Sequence, residues 1–155
     1  MAGDPAQQLA QLGLQLPPPT APVGSYVPFV KINDLVITSG QLPMRDGKLV
    51  AAGKVGRDLT LEQAAEAAKV AVLNALAQVA AAAGGLGNIT RIVRLLVFVN
   101  SADGFTDQPK VANGASDLLV AIFGESGRHA RSAVGVNELP LNGAVEIEMM
   151  AQIST

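Results

Sequence analysis

The sequence predicts a two-layer α+β domain, a mixed β-sheet with two helices packed on one face. Three observations carry that prediction. Strand-like and helix-like segments follow one another in the order ββ-α-β-α-ββ, which interleaves helices with a sheet. The stretch ITRIVRLLVFVN, residues 89–100, is long, apolar and β-branched, as suits a central strand. Charge is sparse: 15% of the 155 residues are charged, and mean hydropathy is +0.34. The sheet face without helices is therefore expected to be covered by another subunit, in a homo-oligomer.

Residues 5–12 read as a short helix, which Pro17, Pro18 and Pro19 end in an extended linker. Residues 1–22 are read as an N-terminal extension and residues 23–155 as the domain. SYVPFVKIN and LVITSGQLP are two strand-like runs split by a turn at Asn33-Asp34, and RDGK (45–48) is a further turn signal. Thr60 and Gln63 have the spacing of a capping box and open the clearest helix. Along it Glu62, Glu66, Lys69, Asn74 and Gln78 trace one narrow polar stripe. Val72, Leu73, Leu76 and Val79 lie away from that stripe beside many alanines, the pattern of a largely buried helix. Gly84-Gly85 is a ready C-cap. A second helix is expected over roughly 108–123, ended by Gly124, and two further strands close the chain.

Composition excludes several classes of function. Eleven basic against thirteen acidic residues give no electrostatic reason to expect a nucleic-acid or anionic-membrane partner. The absence of cysteine removes disulfides, a thiolate nucleophile and cysteine-ligated metals, and allows a reducing, cytoplasmic setting. The N-terminal residues show neither the basic nor the apolar region of a secretion signal. The apolar segment 61–83 carries too many polar residues to be read as membrane-spanning. Dinucleotide and P-loop glycine motifs and the GxSxG elbow are absent, and GGLGN (84–88) follows a helix, so it reads as a cap. With one histidine, no metal site is expected within one chain, unless copies of His129 meet in a trimer.

Chemistry concentrates in RHARSAVGVNELPLNGAVEIE, Arg128 to Glu148. Alternation in AVEIEMMAQI puts Val145, Ile147 and Met149 on one face and Glu146, Glu148 and Met150 on the other. A carboxylate site needs a cation, and Arg131 is the nearest strong candidate, because guanidinium grips carboxylates in a two-pronged fork. A tight hairpin turning at Leu141-Asn142 would set Glu146 near Asn137, about 20 Å from Arg131 at roughly 3.3 Å per residue. Either the two runs are not a simple hairpin, or the pocket is built between subunits. The second option fits the expected oligomer.

GSYVPFVKINDLVITSGQLP, AAEAAKVAVLNALAQV, GLGNITRIVRLLVFVNSADGF and ARSAVGVNELPLNGAVEIE together resemble the Rid/YjgF (RidA-like) family, from about Gly24 to Ile153. The extension looks like that of its longer branch, labelled YjgF/chorismate-mutase-like. The resemblance implies a chorismate-mutase-like fold, a homotrimer and ligand clefts between subunits. It implies hydrolysis of reactive enamines and imines, such as 2-aminoacrylate, to 2-keto acids and ammonium without a cofactor. It assigns Arg131 as the clamp on the substrate carboxylate and Glu146 as the group that positions or activates water. Tyr26, Ser39, Gly40 and Asn113 match residues lining the cleft. Ala133 stands where RidA itself often has cysteine, which bears on substrate range. On this reading His129 and Glu148 are scaffold or interface. Two other readings stay open: a non-catalytic protein binding keto acids in the same cleft, and an endoribonuclease, which the lack of a basic groove disfavours.

Overall fold

The computed structural model describes residues 3–155. The first helix, α1 (Pro5–Gln11), begins with the Asp4 carboxylate accepting from Ala6 N–H at 3.2 Å and with proline in its first turn. Its Leu9 is buried in the core, and α1 lies against α3, so the residues ahead of 23 are packed on the domain. Strands β1 (Phe29–Ile32) and β2 (Leu35–Thr38) form a hairpin with Asn33 at φ 56°. The RDGK turn joins the two-residue strands β3 (Met44–Arg45) and β4 (Lys48–Leu49), with Asp46 and Gly47 both at positive φ as a tight hairpin requires.

Helix α2 (Leu61–Ala83) has the capping box written in its sequence: Gln63 N–H donates to the Thr60 hydroxyl, and Thr60 N–H donates to the Gln63 side chain. Gly84 ends it in the left-handed conformation. Its polar stripe divides in two. Glu62 and Glu66 face solvent, whereas Asn74 and Gln78 are buried. Asn74 donates to the carbonyls of Leu42 and Met44, and Gln78 donates to that of Thr20. Those two amides stitch the extension and the β3 segment onto α2. The helix reaches the length and hydropathy of a membrane span, but 78% of its most apolar window is buried inside the domain, which makes it a core helix.

Strand β5 (Ile89–Asn100) leads into α3 (Gln108–Phe123), then β6 (Ala130–Val136) and β7 (Val145–Ile153). The mixed sheet has the order β1-β2-β7-β5-β6, with β5 and β6 parallel and the other pairs antiparallel. Helices α2 and α3 pack on one face. Alanine and glycine let them touch closely: a Cβ on Gly114 would stand 2.2 Å from the Ala65 carbonyl oxygen. Leu76, Leu95, Leu119, Ile147 and Met149 fill the space between layers, each burial contributing roughly 1.5–3 kcal/mol.

One expectation is corrected here. The two closing runs are not a hairpin. The chain does turn at Leu141 and Asn142, both at positive φ, but β7 enters on the far side of β5 from β6. Buried Asn100 explains the route: its amide donates to the Asn142 side chain and to the Gly143 carbonyl, and its oxygen accepts from Lys54 Nζ at 3.0 Å. The end of β5 thereby holds the connection away from the β6 edge. The face opposite the helices carries Val30, Ile32, Leu35, Ile37 and Val134, all exposed, around half-buried Leu96, Phe98 and Met150.

Candidate functional site

Register fixes where the two central residues stand. Arg131 pairs with Leu95, a core residue, so its side chain leaves the sheet on the helix-covered side. Glu146 pairs with Phe98 and points to the open face with Glu148. Phe98 also pairs with Val134, so Glu146 lies level with a residue three positions beyond Arg131 and two strands away. Strand spacings of ~4.8 Å and rises of ~3.3 Å put their Cα atoms roughly 14 Å apart, on opposite faces. A single chain does not bring them together. Two cavities, of about 440 and 600 Å³, open elsewhere, one beside Arg45 and Glu62, the other beside Leu14 and Asn74.

Arg131 is held by helix α3. Its Nη1 donates to Asn113 Oδ1 at 2.9 Å and to Ser116 Oγ at 3.1 Å. Both acceptors are neutral. Among the described residues Arg131 enters no salt bridge, although Arg57 and Arg128 do. A half-buried guanidinium with donors unspent and no carboxylate partner is suited to an incoming anion. Asn113, on α3, thus lies against the arginine. Ala133 lies on the same side of β6, two residues on, opposite buried Val97.

Glu146 sits among different neighbours. Burial pushes its carboxyl above the ordinary glutamate range, and the nearby Glu148 charge pushes the same way. Gly40 makes room for it: a Cβ there would lie 2.0 Å from Glu146 Oε1. The neighbouring Ser39 hydroxyl donates to the Val27 carbonyl at 2.6 Å and pins the segment bearing Tyr26, whose ring is exposed. Gly40 and Glu146 are thus in contact, Ser39 and Tyr26 lie on the adjoining segment, and Arg131, Asn113 and Ala133 form a second group.

Ser116 was not singled out by the sequence, and His129 was read as scaffold. His129 Nε2 lies 2.9 Å from Ser116 Oγ, and His129 Nδ1 lies 2.7 Å from the Gly127 carbonyl. The carbonyl can only accept, so Nδ1 carries the proton. Burial and the Arg131 charge both lower the histidine pKa against the Gly127 contact, so the ring is neutral and Nε2 accepts from the Ser116 hydroxyl. Ser116 oxygen then accepts from Arg131. A signal was available: Ser116 follows Asn113 by three residues, on the same helix face.

The fold and the two groups define a small α+β protein with an arginine free of acidic partners among the described residues and a glutamate whose pKa is raised by burial, on one mixed sheet. The family model described as "YjgF/chorismate_mutase-like, putative endoribonuclease" matches residues 6–153, and the chain belongs to that family. Protein TCP17 of Trypanosoma cruzi is 43% identical over 99% of this chain and 96% of its own. Atu1372 of Agrobacterium tumefaciens, of unknown function, is 43% identical, with a TM-score of 0.90 over 98% of this chain and 93% of its own. Escherichia coli TdcF, solved with bound serine, is 25% identical, with a TM-score of 0.62 over 88% of this chain and 94% of its own.

Proposed function

We propose that this protein is a Rid-type enamine/imine deaminase that acts as a cytoplasmic homotrimer, with Arg131 of one subunit and Glu146 of the next facing one cleft. The observation that carries this reading is the guanidinium of Arg131, half-buried, braced by Asn113 and Ser116 and without an acidic partner among the described residues. The bound serine in TdcF supports it, because serine presents a small α-carboxylate beside a nitrogen. The exposed apolar strand face supports a trimer, and the cysteine-free chain needs no oxidising compartment.

In the reaction Arg131 binds the substrate carboxylate and orients the C=N bond. Water adds to the imine carbon and gives a proton to Glu146, whose raised pKa suits a general base. The protonated carboxyl returns that proton to the amine nitrogen. The C–N bond breaks as the hydroxyl oxygen becomes the ketone, its proton leaves with the nitrogen as ammonia, which takes one more proton from solvent, and the products are a 2-keto acid and ammonium. No cofactor enters.

The test is ammonium release from imines generated in situ from several amino acids. Arg131→Ala should lose about 10- to 100-fold in kcat/KM, the worth of a charge-assisted hydrogen-bonded pair, while keeping its oligomeric mass. Unchanged turnover overturns the assignment. Calorimetric binding of a keto acid by the wild type without ammonium release would instead favour a metabolite-binding protein.

A further inference from the structure

The carboxylate site has a rear support that its functional residues alone do not reveal. The chain of contacts runs from the Gly127 carbonyl through the His129 ring and the Ser116 hydroxyl to Arg131. Each link has only one direction. Arginine can only donate, so Ser116 oxygen must accept. The Gly127 carbonyl can only accept, so the His129 proton sits on Nδ1. The Ser116 proton is then directed at Nε2 and away from Arg131. A serine free to rotate would sometimes turn that proton toward the guanidinium and oppose it.

His129 is seated for this task. It immediately precedes β6 and is half-buried on the same side as Arg131, two residues on, while Ser116 reaches it from α3. A Cβ on the adjoining Gly127 would lie 2.3 Å from the Leu119 carbonyl oxygen, so the backbone that presents the Gly127 acceptor lies tight against α3. The imidazole is therefore fixed at both nitrogens by one strand entry and one helix.

We propose that His129, in its Nδ1–H form, is a positioning residue that orients the Ser116 hydroxyl and through it sets Arg131 for a small carboxylate ligand. The proposal rests on the carboxylate site proposed above and deepens it. His129 touches no substrate. Its contribution is to lower the disorder of the guanidinium before the ligand arrives, which improves binding more than turnover.

The test uses the full-length protein and 2-oxobutanoate as the carboxylate probe. His129 is the only histidine in the chain, so its imidazole nitrogens give one set of NMR signals. At neutral pH they should report the Nδ1–H tautomer, and adding 2-oxobutanoate should shift them in the wild type but much less in Ser116→Ala. By calorimetry Ser116→Ala and His129→Leu should each weaken probe binding about three- to tenfold. Ser116→Thr should restore it, and in Ser116→Ala and His129→Leu KM should rise with kcat nearly kept. An Nε2–H tautomer overturns the proposal. So does wild-type affinity in Ser116→Ala and His129→Leu while Arg131→Ala has lost the probe, a pattern that leaves the carboxylate site standing. Failure of the wild type itself to bind the probe overturns both the site and its support.

Discussion

Arg131 and Glu146 leave the same sheet on opposite faces, two strands apart and three residues out of level. No side-chain rotation within one chain closes that gap, since the sheet itself stands between them. If one cleft uses both, it takes one from each of two subunits. Two inactive variants should then complement. In a cyclic trimer mixed from Arg131→Ala and Glu146→Gln chains, every heterotrimer has one cleft that joins an intact arginine to an intact glutamate. Equal random mixing should restore about a quarter of wild-type activity. Light scattering should give three times the 15.8 kDa chain mass. Zero recovery after verified subunit exchange would overturn the shared cleft.

A general base at Glu146 would tie both activity and stability to pH. Its folded pKa is raised, first by burial and then by Glu148. A raised pKa means stability fully present below the unfolded value and lost as pH rises through the folded value. Glu146→Gln should therefore melt above the wild type at neutral pH, most of that gain vanishing in acid, while hydrolysis falls at least about 100-fold. Glu148→Gln removes the like charge, so the acid limb of the pH–rate profile should move to lower pH with the fold intact.

Gly40 is a spacer for the Glu146 carboxylate. Its backbone is not in the left-handed region, so alanine is disfavoured only by contact with the carboxyl. Gly40→Ala should fold and assemble with wild-type mass, yet displace Glu146 and lower kcat about tenfold or more. Normal kcat would mean the carboxyl can move aside without cost.

Gly114 makes the opposite case. The obstacle there is the Ala65 carbonyl on a core helix, which cannot swing away. Gly114→Ala should cost about 1–3 kcal/mol in a denaturant titration, despite alanine's better helix propensity. A stabilised variant would show that α2 and α3 separate more easily than their packing suggests.

What the sequence determined alone was local. The capping box at Thr60 and Gln63, the cap at Gly84, the RDGK and Asn33-Asp34 turns and the helix over Gln108–Phe123 were all legible, because each depends on contacts within a few residues. The alternation that separates Glu146 from Ile147 was legible for the same reason. Of the candidate residues, Asn113 was found against Arg131, and Gly40 against Glu146.

Only the tertiary structure decided which strands are neighbours. Insertion of β5 between β6 and β7 puts the two runs of a supposed hairpin on opposite sides of one strand, and buried Asn100 holds the connection from more than forty residues away. The same packing buries Asn74 and Gln78 from a stripe that looked uniform along the helix. It also carries His129 to Ser116, which raises a residue read as scaffold to the rear of the arginine site. Period and capping are properties of a short stretch of chain. Strand order and the face to which a charge points are properties of how distant stretches share one core.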